Sequence, residues 1–119
     1  ILANAVMNLH ARFQDVRKTG ISRVTPELIE FALQEKKRIK LIASAKRGED
    51  GSAQVEVAPK LVPFENPLSS ISGTLNAITL ECRLAGPLTF AGKGAGKNPT
   101  ASAVLNDLAE IRKTLEKVK

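Results

Sequence analysis

The stretch RIKLIASAKRGEDGSAQVEVAPKLV, residues 38–62, decides the fold class. Its first half sets Ile39, Leu41, Ala43 and Ala45 at alternate positions, the period of a half-buried strand. GEDGS, residues 48–52, brings two glycines and an Asp to the middle. AQVEVAPKLV then alternates again through Val55 and Val57. Two alternating runs about a glycine turn predict a β-hairpin.

Upstream, Thr25 and Pro26 open a helix: a capping hydroxyl, a proline at the first helical position, then Glu27 suited to the dipole. Leu28, Ile29, Ala32 and Leu33 give it an apolar face, and the basic EKKR, residues 35–38, is expected to end it. Before that, Ile1, Leu2, Ala5, Val6, Leu9 and Phe13 fall at helical spacing. ILANAV offers no capping side chain ahead of its first apolar residue, and no initiator methionine precedes it. Ile1 is therefore expected to sit inside a helix, and the chain to be a piece of a longer one.

Downstream, PFENPLSSISG breaks regular structure with prolines, serines and a glycine. TLNAITLECRL predicts a third strand, with Leu75, Ala77 or Ile78, Leu80 and Cys82 on its apolar positions. Gly86 and Pro87 are read as a turn, and LTFAG, residues 88–92, as a fourth strand. A last helix follows from the stripe Ala101, Val104, Leu105, Leu108, Ile111, Leu115 and Val118, with Lys113, Lys117 and Lys119 complementing its C-terminal dipole. The order α-α-β-β-β-β-α predicts an α+β fold: a mostly antiparallel four-stranded sheet with helices packed on one face.

At 119 residues the chain is one domain's worth. No apolar run approaches the roughly 20 residues of a membrane helix, so no membrane partner is expected. Cys82 is alone, which rules out an internal disulfide and points to a reducing compartment, the cytoplasm. The net charge of +6 raises a nucleic-acid partner, but four scattered Phe with no Tyr or Trp give no stacking platform. No nucleic acid is expected, and the basic surface reads as a solvated face or one meeting small-molecule phosphates. One His and one Cys cannot build a zinc site, so no metal is expected. His10 reads as a solvated helix-end residue rather than a base, Cys82 as a small core residue, and Asp107 and Glu110 as solvated charges.

TFAGKGAGKNPTASAV, residues 89–104, carries the strongest functional signal. A Walker loop would need glycine where Ala91 stands and Ser or Thr where Asn98 stands. A Rossmann fingerprint would need a third glycine at Lys97. Neither motif is complete. Two readings stay open: a glycine turn and helix N-terminus that approach an anion, with Asn98 as cap and Pro99 first in the helix, or a tight strand-to-helix turn with no ligand.

GKGAGKNPTASAVLNDLAEI resembles the C-terminal signature of homoserine dehydrogenases, commonly Gly-Pro-Gly-Ala-Gly, two variable residues, then Pro-Thr-Ala-Ser-Ala-Val and Asp-Leu. GIS before a Thr-Pro-Glu helix, IKLIASAKR, VEVAPKLVP and NPLSSISGTLNAI agree in order, so the resemblance covers essentially the whole chain. Lys93 stands where that family frequently has proline.

The resemblance implies NAD(P)-dependent interconversion of L-homoserine and L-aspartate 4-semialdehyde, in threonine and methionine biosynthesis, by a homodimer. It implies that residues 1–96 belong to a substrate-binding and dimerisation domain, and that residues 97–119 form a helix returning to a nucleotide-binding domain. Gly94, Ala95, Gly96 and Thr100 are the implied cofactor contacts, facing the nicotinamide end, with Gly96 foremost. Ser69, Ser70 and Asn76 are candidate substrate contacts on the Ser/Pro/Gly connection, whose alternative is an ordinary surface loop. The family's lysines and acids that bind homoserine and move its proton match no residue here, so the chain alone is expected to be inactive. The rival readings are a freestanding, non-catalytic interaction module of the same fold and a basic nucleic-acid-binding domain.

Overall fold

The computed structural model describes residues 1–116. Its contacts gather into two compact units, Ile1–Ser69 and Ser70–Lys119.

In the first unit, helix α1 (Leu2–Met7) is shorter than its apolar period. Asn8 adopts the left-handed conformation, φ 50° and ψ 45°, which Asn tolerates better than most residues and which stops a helix. Beyond it, the Asn4 amide bonds Ala11 in both directions, donating to its carbonyl at 2.9 Å and accepting from its N–H at 3.0 Å. That clasp turns the chain back. Leu9 is buried at 3% exposure, whereas Phe13 opens a 3₁₀ turn (Phe13–Asp15) with its ring exposed beneath the Lys18 ammonium, 3.7 Å from the centroid. His10 lies past the helix, in solvent.

Strand β1 (Arg17–Lys18) runs parallel to the later strand β3 (Ala53–Pro63), with Arg17 opposite Glu56 and Lys18 opposite Val57. The Thr19 N–H adds a bond to the Val57 carbonyl at 2.8 Å. The next parallel bond would need an N–H from Pro59, which has none, so β1 ends there.

Helix α2 (Pro26–Gln34) starts where its cap predicts: the Thr25 hydroxyl oxygen accepts from the Leu28 N–H at 3.3 Å. It ends earlier than expected, because Lys36 turns left-handed at φ 53°. Lys37 and Arg38 therefore belong to strand β2 (Lys37–Arg47).

Strands β2 and β3 form the predicted antiparallel hairpin, in continuous register from Lys37 opposite Pro63 to Arg47 opposite Ala53. Gly51, at φ 80°, makes the turn, and the Asp50 carboxylate accepts the Ser52 N–H at 3.0 Å. Both faces are partly apolar. Ile39, Leu41, Ala43 and Ala45 stand opposite Leu61, Pro59, Val57 and Val55 on one face. Ile42, Ala58 and Val62 share the other with Lys40, Ser44, Glu56 and Lys60. Val55, Ala58 and Val62 are buried, while Leu41 remains 58% exposed. The Arg47 guanidinium donates to the Met7 carbonyl, tying the strand's end to the end of α1.

A 3₁₀ turn (Pro67–Ser70) interrupts the connection, set by the Asn66 side chain accepting the Leu68 N–H at 2.9 Å. In the second unit, β4 (Leu75–Cys82) pairs antiparallel with β5 (Gly86–Lys93). The chain turns at Arg83, Leu84 and Ala85 rather than at Gly86 and Pro87. Gly86, at φ 69°, closes the three-residue loop, and Pro87 already pairs with Glu81. Helix α3 (Lys97–Glu116) follows, with no buried residue.

The α+β layout stands, but the four long strands do not join one sheet. They divide into a three-stranded sheet, β1-β3-β2, and a separate β4-β5 ladder. The two-residue strand β1 lies on the edge of β3 away from β2. Lys117, Val118 and Lys119, expected on the last helix, lie outside the described residues.

Candidate functional site

The glycine stretch is built by the end of β5. The ladder places Asn76 opposite Gly92 and Leu75 opposite Lys93, and the Gly94 N–H then reaches the Thr74 carbonyl at 3.3 Å. Ala95 and Gly96 bend away, and the first helical bond runs from the Thr100 N–H to the Gly96 carbonyl at 3.1 Å. Helix α3 thus begins at Lys97, one residue before the expected cap. Asn98 lies inside the first turn and Pro99 at its third position, where the missing N–H is one the helix leaves unpaired anyway.

The three glycines answer different demands. Gly96 has φ 118°, a backbone state that side-chain-bearing residues rarely adopt. At Gly94 a Cβ would stand 1.9 Å from Asn76 Nδ2, so the Asn76 amide already fills that space. At Gly92 a Cβ would meet nothing within 4 Å.

Electrostatically this terminus suits an anion. The first turn of α3 holds no acidic residue, Lys97 starts it, and Lys93 ends the strand before the turn. Its unpaired N–H groups carry partial positive charge. A shallow surface runs along the first two turns, lined by Gly96, Lys97, Thr100, Ala101, Val104 and Leu105. The Thr100 hydroxyl is not bonded back to the helix among the described residues; Thr114 is the threonine that does so, donating to the Glu110 carbonyl at 3.0 Å. These features fit a coenzyme with an anionic backbone and an apolar ring. Of the four implied cofactor contacts, Gly96 and Thr100 line this surface, and Gly94 and Ala95 lead into it.

The three candidate substrate contacts differ in their surroundings. Ser69 closes the first unit, 4% exposed, its hydroxyl donated to the Phe64 carbonyl at 3.0 Å. That bond gives Ser69 a structural task. Ser70 and Asn76 are exposed members of the second unit, and Asn76 adjoins the glycine turn. Its contact with Gly94 was missed in the sequence, although the spacing of two glycines on one strand face opposite an Asn was available there.

Among the described residues no three His, Cys, Asp or Glu gather as metal ligands, and no helix is long and apolar enough to cross a membrane. Cys82 is a free, half-buried thiol whose Sγ lies 3.8 Å from the Leu80 carbonyl. Glu110 and Lys113 pair at 3.2 Å on the open face of α3, in keeping with a solvated charge.

The second unit thus ends in a strand, a glycine turn and a cationic helix terminus on an α+β frame. The family model for homoserine dehydrogenase matches residues 1–109, and the chain belongs to that family. It is 39% identical to an NAD(+)-dependent homoserine dehydrogenase from Pseudomonas canavaninivorans, over 96% of this chain and 32% of that protein. It is 43% identical to the homoserine dehydrogenase from Methanocaldococcus jannaschii, over 98% of this chain and 33% of that protein. Among solved structures, a homoserine dehydrogenase from Thiobacillus denitrificans superposes with TM-score 0.82 at 34% identity, covering 90% of this chain and 25% of that one. The chain thus spans between a quarter and a third of the length of these curated relatives.

Proposed function

We propose that this chain is the substrate-side and C-terminal part of a homoserine dehydrogenase, which interconverts L-homoserine and L-aspartate 4-semialdehyde with NAD(P). The family match over residues 1–109, which takes in the open glycine turn and the start of α3, is the observation that carries the reading. When bound, the nicotinamide supplies hydride transfer. This chain's own residues bind and orient. The backbone of Gly94, Ala95 and Gly96 meets the nicotinamide end, the Thr100 hydroxyl supplies a side-chain hydrogen bond, and residues 97–119 return to the nucleotide-binding domain. Ser70 borders the substrate. Moving the hydroxyl proton needs a positioned base, and the family's lysines match no residue here. The 119-residue chain alone is therefore expected to turn over nothing. A cytoplasmic setting and a role in threonine and methionine synthesis go with this reading.

The apolar face of the hairpin, where exposed Leu41 and Leu61 accompany Ile39 and Pro59, supports subunit pairing through it. A homodimer is the expected assembly; light scattering that gives a clean monomer contradicts it.

The direct test is homoserine-dependent reduction of NAD⁺ or NADP⁺ by the gene's complete product. Activity that disappears when homoserine is omitted supports the reading. Coenzyme binding without any homoserine-dependent reduction overturns it.

A further inference from the structure

We propose that Asn76 is a positioning residue for the glycine turn, setting by contact where the backbone of Gly94 to Gly96 meets the coenzyme. The inference rests on the coenzyme reading above and adds to it a residue outside the glycine motif.

Three observations carry it. The β4-β5 register puts Asn76 directly opposite Gly92, so Gly94 is its diagonal neighbour on the same face of the ladder. The Asn76 side chain lies on the Cα of Gly94: an added Cβ would stand 1.9 Å from Nδ2, 2.7 Å from Cγ and 3.2 Å from Cβ of Asn76. Gly92 and Gly96 have no such neighbour, the first facing open space and the second meeting only Pro99 at 3.6 Å and beyond. Finally, the turn is lightly fastened. Past the last ladder pair, Leu75 with Lys93, the Gly94 N–H reaches Thr74 at 3.3 Å, and the next bond is the helical one at Thr100. The Asn76 side chain is the second fastening. Its amide makes no hydrogen bond among the described residues, so it acts on Gly94 by occupying space.

A bound dinucleotide reads the turn's position through backbone N–H groups, which reach only a short distance. Loosening the turn therefore weakens coenzyme binding. Because Asn76 is exposed and holds no hydrogen bond, its truncation leaves the fold intact.

The test is calorimetric titration of the gene's complete product with NAD⁺ and NADP⁺, followed by steady-state kinetics. Asn76→Ala is expected to raise the coenzyme Kd, and the coenzyme KM with it, about tenfold. Gly94→Ala, which displaces the Asn76 amide, is expected to raise Kd similarly. The double variant is expected to bind no worse than the weaker single one, as for residues acting as a unit. Wild-type Kd in Asn76→Ala, or effects of the two substitutions that simply multiply, overturns the inference and leaves the coenzyme reading standing. A wild-type protein that binds neither coenzyme overturns both.

Discussion

Three glycines within five residues separate into one that is dispensable, one dictated by a neighbour and one dictated by its own backbone. Gly92→Ala places its methyl in open space and should change stability by no more than about 0.5 kcal/mol. Gly96→Ala forces a side chain onto φ 118° and should cost about 1–3 kcal/mol, read from urea unfolding midpoints. Equal costs at the two positions would contradict this assignment. The sequence made the turn visible because glycine, lysine and proline punctuate it densely. Which glycine serves which purpose was hidden, since that depends on Asn76 across the ladder and on a dihedral angle. The cap moved for a similar reason: Asn98 is a good capping residue, but Gly96 already bends the chain into the helix, and Asn98 falls inside it. Ser69 looked like a loop hydroxyl open to a ligand, and only the fold reveals that it faces the Phe64 carbonyl.

Elements specified by local chemistry came through the sequence well. Thr25 and Pro26 start α2, and the glycine turn sets the β2-β3 hairpin. Thr25→Ala removes the oxygen that accepts the Leu28 N–H and should cost about 1 kcal/mol. It should also release Glu27, whose carboxyl the Thr25 hydroxyl holds below its ordinary pKa. A titration of Glu27 by carboxyl-carbon NMR checks the second effect; an unmoved curve contradicts it. Elements specified by distant pairing were not visible. Strand β1 is two charged residues whose partners are nearly 40 positions away, and no local period announces it. Likewise α1 has an apolar period that runs on to Phe13, but left-handed Asn8 stops it and the Asn4–Ala11 clasp turns the chain back.

On the scale of the whole molecule, the chain is poor in buried side chains and rich in exposed apolar ones. Among the described residues the buried ones, Leu9, Ala32, Val55, Ala58, Val62 and Ser69, all fall within Ile1–Ser69. The stripe on α3, from Val104 to Leu115, is more than half exposed throughout. Such surface suits a region that packs against further protein, as expected of a chain matching a quarter to a third of its relatives' length. Charge acts at this scale too. Asp15, Glu27, Asp50 and Glu56 all ionise below their ordinary range, held first by hydrogen bonds from Arg12, Thr25, Ser52 and Lys60 respectively. A carboxyl whose folded pKa lies below its unfolded one contributes fully above the unfolded value, near pH 4, and loses that contribution as pH falls through the folded one. Urea midpoints should therefore be level from pH 8 to about 5 and decline below about 4, modestly because these groups are exposed. A midpoint that rises on acidification contradicts this. The central claim is that these residues form a working part of a homoserine dehydrogenase, and segment exchange tests it most directly. The matching third of the Methanocaldococcus jannaschii enzyme would be replaced by this chain, and homoserine-dependent reduction of NAD⁺ and NADP⁺ measured. The account predicts an active hybrid whose coenzyme affinity falls on Gly96→Ala; a folded hybrid that binds coenzyme yet reduces none of it with homoserine would contradict it.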